Sequence, residues 1–261
     1  MSTDKGPRTP PPLDDALADE PTTVSVRVWL SDRPGALGAV AARMGAVGGD
    51  VVGIQILERG AGRAVDDVVV TLPSASLVAL LVREVNEVDG ADVEEVRPID
   101  ARTVDPWFDA ADLAAELVGC PDRDALLETL ARRSHQLVYA SWTVVVALDT
   151  GAVLCSHGDA PVSSWLSAFV EGSRASARLG PTEQAPLGSE VNWVPLPAAG
   201  LALMQGRERS GFRARERRQV AALARVADAW LGALAGRAER AARLSHPAGT
   251  ALVPAAPATL A

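Results

Sequence analysis

Ser31-Asp-Arg-Pro-Gly-Ala-Leu-Gly38 is the stretch on which the reading of this chain turns. Before it, Val24, Val26, Val28 and Leu30 alternate with Ser25, Arg27 and Trp29, the period of two that gives a strand one apolar face. After it, Leu37, Val40, Ala41, Met44 and Val47 recur at spacings of three and four, the stripe of an amphipathic helix. Pro34 suits the first helical position, where its fixed φ is helical and its missing N–H has no partner to lose. Gly48-Gly49-Asp50 stops the helix, and Val51 to Glu58 reads as a second strand.

A strand that runs straight into a helix presents unpaired backbone N–H groups, and the positive end of the helix dipole, to whatever lies beyond the strand. Gly35 leaves the approach to those amides open, and Asp32, one residue outside the expected cap, is placed to face a cation. An anion binder beside a cation binder suits the zwitterionic end of a free amino acid. The same residues also have a purely structural use, Asp32 favouring the helix dipole and Gly35 easing the turn, so the junction alone does not assign a function.

Further along, residues 65 to 72 form a third strand, reached through Arg59-Gly-Ala-Gly-Arg63, where glycines supply the positive φ of a tight hairpin. Ser74 caps a helix bearing Leu77, Leu80, Leu81, Val85 and Val88. Asp89-Gly90 turns the chain into a fourth strand, Ala91 to Ile99. The order βαββαβ within about 75 residues is the ferredoxin-like plan, an antiparallel sheet with both helices on one face. Many functions share that plan.

The segment Asp-Arg-Pro-Gly-Ala-Leu-Gly after a first strand, then Gly-Gly-Asp and the strand Val-Val-Gly-Ile-Gln-Ile, resembles an ACT domain, a regulatory module that usually binds amino acids. The resemblance covers residues 23 to 99 and places the domain at 22–100. It implies a pocket between the first loop and the start of the first helix, completed at a homodimer interface by the second strand of a neighbouring copy. Asp32 would meet the ligand ammonium, the backbone of Gly35, Ala36 and Leu37 its carboxylate, and Val52, Gly53, Ile54 and Gln55 would form the partner wall. Trp29, on the strand face opposite the apolar one, adds an aromatic to the surface that a dimer would cover.

With 261 residues, nearly half of them apolar, the chain can bury two ordinary cores. Residues 1–21 and 244–261 read as disordered tails, the first rich in proline and acids, the second in proline and alanine. Residues 101–120 read as a connector with a short helix capped by Asp109, docked through Trp107 and Phe108. From Pro121 a helix carries Leu126, Leu127, Leu130 and Leu137. The hairpin 141–157 follows, turning at Asp149-Thr-Gly151, then a helix over Val162 to Ala175 and a loop over 180–190. A second hairpin (Val191 to Leu196 and Gly200 to Gln205) leads into a long helix from about Ala214. This is an α+β domain. Over residues 121 to 236 it resembles a GAF domain, a small-molecule sensing fold, through Leu148-Asp-Thr-Gly-Ala-Val153 and Gly206-Arg-Glu-Arg-Ser-Gly-Phe-Arg-Ala-Arg-Glu216, with the domain set at 121–243.

A formal net charge of −8 argues against nucleic-acid or anionic-membrane partners. No apolar run reaches the roughly 20 residues of a membrane helix. Cys120 and Cys155 lack metal-ligand spacing or a disulfide framework, which fits a reducing cytoplasm. Cys155 and His157 share a strand face, as a nucleophile and base or two metal ligands would, but a third ligand or an orienting acid is missing from the pattern. His135 falls on a helix and His246 in the tail. The ten arginines and four acids of 207–243 read as a solvated helix face with i,i+4 pairs. The third strand has two acids and no aromatic, unlike an RNA-recognition sheet. The expectation is a non-enzymatic, cytoplasmic regulatory dimer without cofactor or metal, sensing an amino acid and signalling through the GAF-like half to a protein partner. A constitutive dimerising scaffold is the alternative.

Overall fold

The structure, a computed structural model, describes residues 20–99, 106–178, 190–208 and 210–245, the side chains of 106–110, 173–178 and 244–245 excepted. The expected tails (apart from residues 20, 21, 244 and 245), the Trp107 and Phe108 side chains, nearly all of the 180–190 loop and His246 lie outside these described residues. The fold is α+β, with two antiparallel four-stranded sheets and six α-helices among the described residues. It divides into two compact units, residues 1–106 and 107–261. Among the described residues no helix is long and apolar enough to cross a membrane.

The first unit runs β1 (Thr22–Ser31), α1 (Ala36–Ala46), β2 (Asp50–Gly60), β3 (Arg63–Leu72), a 3-10 turn (Ala75–Leu77), α2 (Val78–Asn86) and β4 (Ala91–Pro98). Its sheet has the order β2-β3-β1-β4. Val24, Val26, Val28 and Leu30 of β1 and Val68, Val70 and Leu72 of β3 are buried with Val40 and Met44 of α1 and Leu81 and Val85 of α2. One sheet face therefore carries both helices, because strand alternation sends every second residue that way.

Two local expectations change. Pro34 does not start α1: the helix begins at Ala36, and Gly35 is its cap at φ 87°, in the left-handed region that favours glycine. The chain needs this reversal between Pro34 and the helix, so Gly35 shapes the turn as well as leaving it open. In the hairpin, Ala61 (φ 50°) and Gly62 (φ 75°) take the left-handed positions while Gly60 remains in β2. Ser74 caps the 3-10 turn rather than α2, its Oγ accepting from Ser76 N–H at 3.0 Å.

The opposite face of this sheet is not the open surface inferred for Trp29. Arg63 lies over the Trp29 ring at 4.8 Å, and Leu57, Val65, Ser25 and Thr23 are buried there. Arg27 is 1% exposed and donates from Nε and Nη2 to the two Asp67 carboxylate oxygens at 2.8 and 2.9 Å. Arg97 adds a longer contact to Asp67 at 3.4 Å and pairs with Glu95 at 3.1 Å.

The second unit comprises α3 (Pro106–Gly119), α4 (Arg123–Leu137), β5 (Trp142–Ala147), β6 (Val153–Gly158), α5 (Ser163–Arg178), β7 (Val191–Leu196), β8 (Leu201–Gly206) and α6 (Ala214–Ser245). Its sheet order is β6-β5-β8-β7. Leu113 and Leu117 of the connector helix α3 belong to the core formed by α4, α6 and one face of this sheet. Asp122 caps α4 through Ala125 N–H at 2.9 Å. The other sheet face packs on α5 through Trp142, Val144, Val146, Leu166 and Met204. A row of aromatic rings, Trp142, Trp165, Phe169 and Trp193, continues that layer, with successive centroids 6.1, 5.4 and 5.8 Å apart.

The arginine-rich terminal segment is not simply a solvated face. Arg207 and Glu216 form a buried pair at 2.7 Å, and Asp228 accepts the Ala198 and Ala199 N–H groups at 3.1 and 3.0 Å. Glu239 and Arg243 make one of the anticipated i,i+4 contacts, at 3.9 Å on the surface.

Candidate functional site

The β1–α1 junction is held from both sides by the backbone. Ser31 N–H donates to Gly90 O at 3.0 Å and Asp32 N–H to Gly62 O at 2.9 Å, tying the loop to the turn before β4 and to the β2–β3 hairpin. Asp32 and Gly35 are exposed, Ala36 points into the core, and Leu37 is half-buried. Ala36 N–H bonds back to Arg33 O at 3.3 Å, and Ala39 N–H to Gly35 O at 3.0 Å. No side chain caps α1. Of the three amides expected to face a carboxylate, Ala36 is thus engaged. The Gly35, Leu37 and Gly38 N–H groups have no backbone partner among the described residues.

The residues assigned to a partner wall lie on β2, an edge strand. Val52 is 41% and Ile54 48% exposed, and Gly53 and Gln55 are half-buried. A bulge between Val51 and Gly53 pushes Val52 out of register with β3. Gln55 Nε2 is buried with no hydrogen-bond partner among the described residues.

Sequence reading missed Asp66. The register places it opposite Val28 on β1 and Ile56 on β2, on the helix-bearing face, whereas Asp67 goes to the other face and meets Arg27. Asp66 is 3% exposed, and its Oδ1 is buried with no hydrogen-bond partner among the described residues. Burial pushes its carboxyl above the ordinary range; Arg59 opposes this, and Asp67 and Asp32 add to it. The only sequence signal was an acid on the apolar phase of a strand, in Val65-Asp-Asp-Val68.

In the second unit, Cys155 and His157 do share one face of β6, and Glu128 on α4 lies near both. His157 Nε2 is 2.8 Å from Glu128 Oε1, out of hydrogen-bond alignment. The His135 and His157 rings are 6.3 Å apart, and burial, with His157 second, lowers the His135 pKa. His135 joins a buried polar chain instead: its Nδ1 is 3.3 Å from Thr143 Oγ1, and Gln205 links Thr143, Ser134 and Asn192. Among the described residues no group of three or more His, Cys, Asp or Glu is arranged to hold a metal.

Burial, with the Glu128 charge beside it, pushes the Cys155 thiol up to about 11. A thiolate is the reactive form, so Cys155 should react with a thiol reagent at neutral pH roughly a hundredfold or more slower than a free cysteine. Labelling followed by mass spectrometry of the folded and urea-unfolded chain checks this; fast modification of Cys155 in the folded protein would show an activated thiol.

Comparison with known proteins gives no family model and no curated protein that matches this chain. Among solved structures, the GAF domain of a protein described as a sensor histidine kinase from Pseudomonas syringae pv. tomato aligns at 14% identity and a TM-score of 0.32, covering 54% of this chain and 92% of that one. The photosensory core module of the Stigmatella aurantiaca phytochrome aligns at 13% identity and a TM-score of 0.39, over 72% of this chain and 43% of that one. A bacteriophytochrome from R. palustris aligns at 12% identity and a TM-score of 0.34, over 71% and 48%. The alignments span less than half of either phytochrome chain. Likeness this distant leaves both the family and the function of the chain to be argued from its own residues.

Proposed function

We propose that the chain is a non-enzymatic sensor whose first unit, an ACT-like module, binds a free amino acid at the β1–α1 junction. A homodimer and the GAF-like second unit then pass the signal to a protein partner. The observation that carries the reading is the uncapped start of α1, where the Leu37 and Gly38 amides have no backbone partner and Asp32 stands exposed beside them. Amides at a helix N-terminus attract a carboxylate, and an adjacent aspartate attracts an ammonium. The strand order β2-β3-β1-β4 with both helices on one face supports the ferredoxin-like assignment. For the second unit the support is the antiparallel hairpin pair between α4 and α6.

Thermal denaturation in the presence of each free amino acid tests the reading, because a ligand that binds only the folded state raises its stability. One or a few amino acids should raise the Tm. Asp32→Ala should then weaken the bound one about tenfold to hundredfold, the loss of a charge-assisted hydrogen bond of roughly 1.5 to 3 kcal/mol. Gly35→Val, which would otherwise block the site, is a poor probe because it would also strain the φ 87° cap.

A second reading has its own observation. Val52 and Ile54 expose apolar side chains on an edge strand, a surface that a second copy can cover without any ligand. If no amino acid shifts the wild type and light scattering still finds a dimer at micromolar concentration, the constitutive assembly module replaces the sensor.

A further inference from the structure

The end of the sheet beneath α1 contains a charged group that the fold does not use. Asp66 is 3% exposed, and its Oδ1 finds no donor among the described residues. A buried carboxylate without a partner costs stability, and proteins retain such groups where something else needs them. Its position follows from the packing of α1. At the helix C-terminus, a Cβ built on Gly49 would touch Val70 Cγ2, Met44 O and Leu72 Cδ2, so that end of α1 lies over residues 70–72 of β3. Its eleven residues span about 16 Å at 1.5 Å each. That carries the first turn back toward the opposite end of β3, the end that holds Ala64 and Asp66.

Three further charges surround this point. Asp32, in the loop entering α1, and Arg59, on β2, both act on Asp66 electrostatically; Asp67 acts on it from the other face. Arg59 sits opposite Ala64, on the same sheet face as Asp66, yet makes no ion pair with it at 4 Å or less. The apolar neighbours across the strands, Val28 and Ile56, provide no donor from their side chains. An uncapped helix start, an exposed aspartate and a buried unpartnered carboxylate thus lie toward the same end of the sheet.

We propose that Asp66 is the principal anion of the ligand site and receives a primary ammonium group that enters beneath the first turn of α1. This deepens the amino-acid reading of the same junction and rests on it. The ligand carboxylate lies on the Leu37 and Gly38 amides, with Arg59 beside it. Asp32 at the rim attracts the ammonium, and Asp66 holds it out of water, where a charge-assisted bond is strongest.

The role separates from a structural one in the empty protein. Because burial raises the Asp66 pKa, its stabilising contribution is complete below the unfolded value and is lost as pH rises through the folded one. Asp66→Asn, nearly isosteric and uncharged, should therefore raise the Tm of the ligand-free protein at neutral pH. A structural carboxylate would show the reverse.

The experiment measures Tm for the full-length wild type, Asp66→Asn and Asp32→Ala, with three probe sets at millimolar concentration. These are the free amino acids, their N-acetyl derivatives, which lack the cation, and primary alkylamines, which lack the carboxylate. Free amino acids should stabilise the wild type and N-acetyl derivatives should not. Asp66→Asn should weaken binding of the selected amino acid at least a hundredfold, more than Asp32→Ala does. Equal stabilisation of wild type and Asp66→Asn by an amino acid would overturn the role of Asp66 and leave the sensor reading standing. Stabilisation by alkylamines alone, lost in Asp66→Asn, would keep the cation site and overturn the amino-acid reading. A lowered ligand-free Tm for Asp66→Asn, or no effect of any probe on the wild type, would overturn the proposal.

Discussion

Glu216→Ala should destabilise the second unit by about 3 to 5 kcal/mol, the cost of leaving one charge of a buried pair without its partner. The Arg207 and Glu216 side chains are 5% and 6% exposed and meet at 2.7 Å. Arg207 also donates to Val138 O, and to Gly211 O at 3.3 Å, while its guanidinium lies 4.4 Å from the centre of the Phe212 ring. Glu216 has a second task. It is the third residue of α6 and accepts from Arg213 N–H at 2.7 Å, one half of a capping box. One carboxylate therefore neutralises a buried arginine and closes the start of a 32-residue helix. Urea denaturation followed by far-UV circular dichroism should show the midpoint of the second unit falling while that of the first is unchanged. The double change Arg207→Met with Glu216→Leu should recover much of the loss, since a well-packed apolar pair often replaces a buried ion pair without penalty. An effect of Glu216→Ala below about 1 kcal/mol would mean that water reaches the pair, as at a surface bridge.

Asp67→Ala should have a similar effect, about 3 to 5 kcal/mol, on the first unit. Arg27 is 1% exposed in a central strand, and both Asp67 oxygens are committed to it. Arg97 and Glu95 border the pair without substituting for Asp67: Arg97 adds a second positive charge, and Glu95 already accepts from it at 3.1 Å. Removing Asp67 thus takes away the carboxylate that both guanidinium groups contact. The contrast with the next residue is the sharper test. Asp66→Asn and Asp67→Asn are the same chemical change one position apart, and they should move the ligand-free Tm in opposite directions. Scanning calorimetry of the two variants measures both shifts; a fall in both would show that Asp66 has a stabilising role.

How much of this was legible in the sequence follows from range. Strands and helices were readable because their cause is local. The alternation of Val24 to Leu30 and the three-and-four spacing of Val40 and Met44 are satisfied within one element, and those residues are the buried ones. The order of elements in both units, and the junction with Asp32 and its helix-end amides, came from the same short-range patterns. Backbone detail was less accessible. Pro34 obeys the statistics of a first helical residue, yet Gly35 after it takes the left-handed conformation at φ 87°, so α1 starts two residues later.

Charge was where sequence reading failed, because the cost of a charge depends on what lies across from it. Asp66 and Asp67 are indistinguishable in the string Val-Asp-Asp-Val. Pairing with β1 and β2 sends one to the helix-bearing face, where its Oδ1 has no hydrogen-bond partner among the described residues, and the other to Arg27. Glu216 resembled one more acid on an arginine-rich helix until the return of the chain buried Arg207 against it. Local periodicity by itself determined which residues form elements and which faces are apolar. The tertiary structure alone decided which charges leave water and whether a partner meets them, since burial and cross-strand register arise between segments distant in sequence.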